Sequence, residues 1–324
     1  MRYFITGGAG FIGSTMVDRL ITDKNNEITI YDNFISGQMS YIEEHFKNPR
    51  FKLVKGDLLD LPHLKEAVKG HDFIFHFAAN PDIAKAMIET DLDLRLGVIA
   101  TYNLLEAMRV NNVKKIAYSS GSGVYGDVGL TEPKEDFGPL LPSSMYGASK
   151  LGAEGIISAF CFMFDMQSWM FRFANVVGKS QTHGVAYDFI KKLKQNPKEL
   201  TILGDGSQSK SYIHVSDVLN AMLFVIEKTN ETVNIFNAAT GDYLTVNEIA
   251  EIVINKLNLK SVELKYTGGK RGWKGDVPIV RFNLEKIYKL GWKSKYNSKE
   301  AIKHSVEEML ENRNMPWNIV TTTI

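Results

Sequence analysis

Cysteine is the first scarcity. The chain has one, Cys161, so an internal disulfide is excluded, and its place in an apolar helical run marks it as a small core residue. Long apolar runs are missing too. No stretch of 18 or more apolar residues exists, so no membrane span is expected. The apolar run at the N-terminus is short and leads into a glycine turn, unlike a secretory signal. Excess charge of either sign is also absent. Thirty-eight basic residues face 37 acidic ones, for a net charge of +1. This argues against a nucleic-acid surface or an acidic tail. His45, His63, His71, His183 and His304 show no metal-ligand spacing, so no metal site is expected. There is no internal repeat and no low-complexity tract. The default reading is a soluble cytoplasmic protein without nucleic-acid or membrane partners.

What the chain does have is glycine in one informative place. Tyr3-Phe4-Ile5 reads as a buried strand, and Thr6-Gly7-Gly8-Ala9-Gly10 turns the chain. Phe11, Ile12, Met16, Val17 and Leu20 recur at helical spacing, with the helix opening at Gly13. Gly8, Gly10 and Gly13 fit G-x-G-x-x-G, and Gly7, Gly10 and Gly13 fit G-x-x-G-x-x-G. Such glycines permit a tight turn, a close approach to a pyrophosphate and close helix–strand packing. The helix N-terminus then faces the phosphates with free N–H groups. A second strand, Glu27 to Tyr31, ends in Asp32, about 20 residues on, where a carboxylate can take hydrogen bonds from an adenosine ribose. That carboxylate would repel a 2′-phosphate, so the cofactor expected is NAD, not NADP.

Strands and helices keep alternating. Strands are predicted at 51–54, 72–77, 114–119 and 167–173, and helices at 61–68, 84–110 and 144–164. The pattern is α/β, a Rossmann-type doubly wound parallel sheet with a smaller C-terminal α/β substrate-binding lobe. Its ligands belong at the carboxyl ends of the strands. The NAD-binding domain is placed at 1–174, with 213–240 returning to it as one more helix and strand. The smaller lobe is 175–324, mainly 175–212 and 241–324, with helices at 185–195, 245–257, 284–290 and 299–312. The cleft between the lobes is the natural substrate site.

Tyr146 and Lys150 lie at i and i+4 near the start of a helix and so share a face. A tyrosine ionises near pH 10 unperturbed. A neighbouring ammonium and the positive charge of oxidised nicotinamide both favour the phenolate, which makes Tyr146 a usable general base.

At these residues the chain resembles the extended short-chain dehydrogenases/reductases of the nucleotide-sugar epimerase/dehydratase kind, and within them the UDP-glucose (UDP-galactose) 4-epimerases. The motifs are Thr6-Gly7-Gly8-Ala9-Gly10-Phe11-Ile12-Gly13, Asp32-Asn33, Gly56-Asp57-Leu58, His76-Phe77-Ala78-Ala79, Ser119-Ser120 with Val124-Tyr125-Gly126, Tyr146-x-x-x-Lys150, Arg172 through Gly178, Gly204-Asp205-Gly206, Tyr212-Ile213-His214-Val215-x-Asp217 and Arg271-Gly272-Trp273-x-Gly275-Asp276. The resemblance implies that Gly7, Gly10, Phe11, Ile12 and Gly13 form the pyrophosphate turn. Asp32 and Asn33, with Ser36 and Gly37 nearby, would hold the adenosine ribose, and Asp57 and Leu58 would contact the adenine. Phe77, Ala78, Ala79, Ser119 and Phe173 would line the cofactor. Lys150 would bind the nicotinamide ribose and tune Tyr146. Asn175, Lys210 and Arg271 would hold the sugar nucleotide's diphosphate, which calls for charge-assisted donors.

Three positions depart from the family. The usual catalytic serine or threonine is Gly121, flanked by Ser120 and Ser122, so Ser122, a water or Tyr146 alone must serve. Lys210 stands where arginine is usual, which loses the bidentate fork. Gly97 stands where asparagine is common. The activity implied is an NAD-dependent nucleotide-sugar 4-epimerase working through a transient 4-keto sugar. The alternative is a C4 dehydrogenase, decarboxylase or 4,6-dehydratase that diverts that ketone, though Ser122-Gly123 lack the acidic residues of a dehydratase. A homodimer through a four-helix contact, about 97–110 and 144–164, is also implied.

Overall fold

Seven strands form the main sheet of the protein, seen in a computed structural model that describes residues 1–80, 82–312, 315 and 317. In chain order the first six are β1 (Arg2–Thr6), β2 (Glu27–Asp32), β3 (Phe51–Lys55), β4 (Phe73–His76), β5 (Lys115–Gly121) and β6 (Gln167–Phe173). The seventh is Val233–Ala238, and the order across the sheet is that strand, β6, β5, β4, β1, β2, β3. The pairings β3–β2, β2–β1, β1–β4 and β4–β5 are all parallel. The order reverses direction at β1, which opens a ligand crevice at the carboxyl ends of β1 and β4. Phe4, Ile5, Ile28, Ile30 and Ile74 are fully buried, as continuous apolar strands of a covered parallel sheet must be.

The helices of this part are α1 (Phe11–Leu20), α2 (Leu61–Val68), α3 (Ala100–Val110) and α4 (Met145–Met163), of which α2 and α4 follow the predicted 61–68 and 144–164 closely. Asp60 caps α2 through the His63 N–H, with Pro62 in its first turn. Ser144 caps α4 through Gly147. Both are the oxygen-bearing side chains that satisfy orphan N–H groups. α1 begins at Phe11, two residues before Gly13.

One correction concerns the helix predicted at 84–110. The chain makes a 3₁₀ turn at Ile83–Met87, then a π-helical turn at Leu94–Ile99, and only then α3. The cause is Gly97. A Cβ there would lie 2.6 Å from Ser149 Oγ and 2.7 Å from Ser149 Cβ, so α4 presses against backbone at this point. An asparagine side chain would have no room here unless Ser149 moved.

The chain divides into two compact units, 1–126 with 137–172 and 222–236, and 127–136 with 173–221 and 237–324. This departs from the predicted 1–174 and 213–240. The segment 127–136 goes with the second unit, and the return is shorter. The end of the predicted lobe, from 318 on, lies outside the described residues. The second unit packs its helices Val185–Gln195, Val246–Lys256 and Ser298–Glu311 around a core that includes Ile190, Leu200, Ile249, Ile302 and Val306. Capping boxes at Thr245/Glu248 and Asn297/Glu300 start two of these helices.

Candidate active site

The glycine turn is shaped for a ligand. Gly7 has φ +68°, and a Cβ on it would lie 2.7 Å from the Ala78 N. A Cβ on Gly13 would lie 2.1 Å from the Gly7 carbonyl oxygen. Neither position admits a side chain, so the end of β1, the end of β4 and the start of α1 meet as bare backbone. Gly10 caps α1 with no side-chain hydrogen bond, and its first turn holds no acidic residue. The N–H groups there remain for an anion. Phe11 and Ile12 form that first turn.

Asp32 does two things. Its carboxylate accepts from the N–H of Ala9 at 2.9 Å and of Phe34 at 2.8 Å, so the end of β2 ties down the turn. Burial raises its pKa, against the pull of those two N–H groups. A Cβ on Gly37 would come within 2.8 Å of Asp32 Oδ1, so Gly37 approaches the carboxylate closely; Ser36 is exposed. Asn33 donates to Asp57 Oδ2 at 3.1 Å, and Asp57 Oδ1 also takes the Leu59 N–H at 2.8 Å. Leu58 is buried, its carbonyl held by Asn103 at 2.9 Å. Asp32, Asn33, Gly37, Asp57 and Leu58 thus form one linked rim. These residues fit an NAD dinucleotide: bare backbone and uncapped N–H groups suit a pyrophosphate, and a buried carboxylate at the end of β2 suits a ribose hydroxyl.

Phe77 and Ala78 extend from β4 and donate their N–H groups to Thr6, the first to its carbonyl at 3.1 Å and the second to its hydroxyl at 3.5 Å. His76, fully buried, contacts Thr6 Oγ1 at 2.6 Å and Thr101 Oγ1 at 3.0 Å. The Thr101 hydroxyl donates to the Gly97 carbonyl, so it accepts from His76 Nε2–H. The Thr6 hydroxyl therefore donates to Nδ1, and the imidazole is neutral. Burial and the nearby Lys150 ammonium push its pKa down to about 3. Ala79 follows, part-exposed beside Asn80.

Tyr146 and Lys150 stand on the first turns of α4. Lys150 Nζ lies 5.5 Å from the Tyr146 ring centre and 4.8 Å from that of Tyr118, and it donates to the Ser119 carbonyl at 2.6 Å. Ser119 Oγ in turn donates to the His76 carbonyl at 3.2 Å. Burial pulls the ammonium down to about 8, against Glu154 and Asp93. Burial, and then Asp93, push the Tyr146 phenol up to about 12. The lowering expected from the neighbouring ammonium therefore does not prevail in the protein alone. Asp93 is buried, with Oδ1 held by Asn80 at 2.9 Å and Oδ2 without a hydrogen bond. At the end of β5, a Cβ on Gly121 would meet nothing within 4 Å, and Ser122 opens the short turn that follows.

In the second unit, Lys210 and Arg271 converge on one acid. Lys210 Nζ donates to Asp276 Oδ1 at 2.6 Å. Arg271 Nη1 donates to the Asp276 carbonyl, and its Nη2 to Asp127 Oδ2 at 2.6 Å. Asn175 is exposed at the start of a short strand paired with Tyr212–His214. Phe173 ends β6 and is buried. Sequence reasoning gave no role to Asp276 or Asp127, although Asp276 ends a motif it quoted. It likewise passed over Glu154, one turn beyond Lys150.

His214, His304 and Glu308 also come together, with their ligand atoms within 4.8 Å of one another. His214 Nδ1 receives the Ser216 N–H at 3.3 Å, so Nε2 carries the proton and donates to Glu308 at 3.0 Å. That hydrogen bond uses the His214 Nε2 proton, so His214 offers no lone pair from that nitrogen in this arrangement.

Known proteins resemble this chain in sequence and fold. The sequence profile of the NAD dependent epimerase/dehydratase family matches residues 3–239. A provisionally named UDP-glucose 4-epimerase of Methanocaldococcus jannaschii is 33% identical over 315 residues, which cover 95% of this chain and 98% of that one. A crystal structure of UDP-galactose 4-epimerase is 35% identical, with a TM-score of 0.85 over 96% of this chain and 99% of its own. The dTDP-glucose 4,6-dehydratase DesIV of Streptomyces venezuelae, solved with NAD bound, is 25% identical, with a TM-score of 0.89 over 97% and 98% of the two chains. The matched region runs from the glycine turn through the Tyr146 helix to the returning strand, and it makes this chain a member of the NAD dependent epimerase/dehydratase family.

Proposed function

We propose that the protein is a nucleotide-sugar 4-epimerase of the UDP-glucose/UDP-galactose type. The observation that carries this is the placement of Tyr146 and Lys150 at the carboxyl end of β5, in the same unit as the glycine turn. When bound, NAD supplies a two-electron acceptor that takes the C4 hydride and gives it back. The residues of the chain do the rest. Tyr146 takes the 4-OH proton as the C4–H bond breaks, leaving a 4-keto sugar. It returns the proton once the ketone has been reduced from the other face. Lys150 stabilises the phenolate, since a nearby cation favours the charged form. Its help is needed because burial holds the phenol near 12 without the cofactor's positive charge.

Asn175, Lys210 and Arg271 are proposed to hold the sugar nucleotide's diphosphate. The ion pairs of Lys210 with Asp276 and Arg271 with Asp127 support this, because they keep both cations oriented before an anion arrives. Ser36, Asn33 and Asp32 are proposed for the adenosine ribose, Asp57 and Leu58 for the adenine, and Phe77, Ala78, Ala79, Ser119 and Phe173 for the lining of the nicotinamide end. Ser122 is proposed as the hydroxyl that takes part in proton transfer.

The test is to incubate purified protein with UDP-, GDP-, CDP- and dTDP-hexoses, following C4 stereochemistry and NADH absorbance. Interconversion of C4 epimers without net NADH is the expected result. Accumulated ketone or 6-deoxy product would establish the dehydrogenase or dehydratase reading instead, which DesIV keeps open.

We also propose a homodimer through residues 97–110 of the π-turn and α3 and 144–164 around α4. Supporting it, Tyr102, Val110, Phe162 and Met163 are 45%, 46%, 70% and 72% exposed. A soluble monomer rarely leaves such residues on adjoining helices uncovered. Sedimentation at micromolar concentration should give twice the mass of the chain, and a monomer would refute it.

A further inference from the structure

Four side chains join the elements that carry the reacting groups, and the reaction as drawn uses none of them. Glu154 lies one turn beyond Lys150 on α4, so the two share a face. Its Oε1 accepts from Ser120 Oγ at 2.5 Å, at the end of β5. Arg172 on β6 grips the same carboxylate through Nε at 3.0 Å and Nη2 at 2.7 Å. Arg172 Nη1 donates to the Tyr125 hydroxyl at 2.9 Å, and the guanidinium lies 4.8 Å over that ring. The Arg172 and Glu154 side chains are only 3% and 5% exposed.

A buried ion pair is weak evidence for stability, because well-packed apolar residues of the same volume often serve as well. Its position is more informative. Ser120 follows Ser119, whose carbonyl is the hydrogen-bond acceptor of Lys150 Nζ. Glu154 is therefore linked to Lys150 in two ways, through the shared face of α4 and through the strand end that Ser120 secures.

We propose that Glu154, locked by Arg172 and Ser120, is the positioning residue for Lys150 and keeps its ammonium charged and aligned with Tyr146. The surroundings of that ammonium require such a group. It faces the neutral His76 on β4, the Tyr118 ring on β5, Tyr146 on its own helix, Asp93 before the π-turn, and Glu154. Burial alone would neutralise a lysine. Of the two carboxylates that oppose this, Glu154 acts more strongly. The bidentate grip of Arg172 holds it in place.

This role rests on the reading of Lys150 as the tuner of Tyr146, so the test has one arm that needs no sugar. In lysine-¹³C-labelled protein with NAD bound, the Lys150 Cε resonance is assigned by its loss in Lys150→Met and titrated with pH. In Glu154→Gln its midpoint should fall by about one pH unit. In the second arm, with the sugar nucleotide that wild type turns over, kcat should fall about tenfold or more and KM should stay within about threefold. The alkaline limb of kcat should move down with the Lys150 midpoint. An unmoved midpoint and an unmoved limb would overturn the proposal and leave the pair a structural brace. If Glu154→Gln does not fold, Glu154→Gln/Arg172→Gln removes both charges together; the Lys150 midpoint should then fall in the same direction by a smaller amount, because the opposing guanidinium charge is gone too, and an unmoved midpoint would again overturn the proposal. A wild type inactive on every sugar nucleotide refutes the proposed function, and the titration arm still decides this one.

Discussion

At the residue scale, spacing put Tyr146 and Lys150 on one helix face, because i and i+4 must share one, but only the glycine fingerprint upstream singled the pair out. Their electrostatics were not legible in the sequence, since burial and Asp93 come from the fold. Tyr146→Phe removes only the proton acceptor. It should reduce kcat by about 10²–10⁴-fold while NAD stays bound, as measured by steady-state rates and by NAD released on denaturation. Near-normal turnover would dismiss Tyr146 as the base. Gly121 has no side chain that could share the proton transfer. Ser122→Ala should therefore lose about tenfold or more if its hydroxyl shares the proton transfer, whereas less than a twofold change would leave Tyr146 to act alone or through water. His76 makes a pH prediction. Its folded pKa is about 3 against an ordinary 6.5. Between those values the unfolded chain binds a proton that the native protein refuses, so stability falls as pH falls. The slope from this one group is about 1.4 kcal/mol per pH unit, or about 2 kcal/mol lost at pH 5. Urea midpoints at pH 7 and pH 5 should show it, and His76→Asn should remove that part of the slope.

At the element scale, the sequence was most legible where a period was strict. The apolar run of β6 and the stripes of α2 and Val185–Gln195 gave boundaries that match the structure, and β1 extends one residue beyond its predicted run at each end. The helix predicted at 84–110 failed because apolar residues continue at near-helical spacing through a π-turn. Only the approach of Ser149 shows why Gly97 bends the chain there. Gly97→Ala should therefore destabilise the protein by about 1–3 kcal/mol through overpacking, read as a lower thermal midpoint. Gly152→Ala nearby meets a Val98 methyl at 3.2 Å and no backbone, so it should be milder. Equal effects would show that the π-turn is not set by this contact. The short strands of the second unit, two to four residues each, left too little periodicity to read. The same brevity hid Asp276, whose meaning depends on Lys210, 66 residues away.

At the scale of the whole molecule, alternation of strands and helices was enough to reach the doubly wound sheet and the returning segment. It was not enough to place 127–136 in the second unit, because that assignment rests on contacts such as Asn237 with Glu135 and Arg271 with Asp127. The return has a consequence for how the molecule is made. Strand β6 lies between β5 and Val233–Ala238, yet residues 173–221 of the other unit are synthesised between the two partners. A chain growing from its N-terminus therefore carries β6 as an open edge until residue 238 has emerged. An unpaired, apolar strand edge is a template for joining other chains. A fragment ending at residue 221 should accordingly precipitate or bind chaperones, while the full chain stays dispersed; recovery of that fragment as a soluble monomer would count against it. The last strand of the sheet thus acts as a closing piece, and the interval before its arrival is when a nascent chain of this protein is most exposed to misassembly.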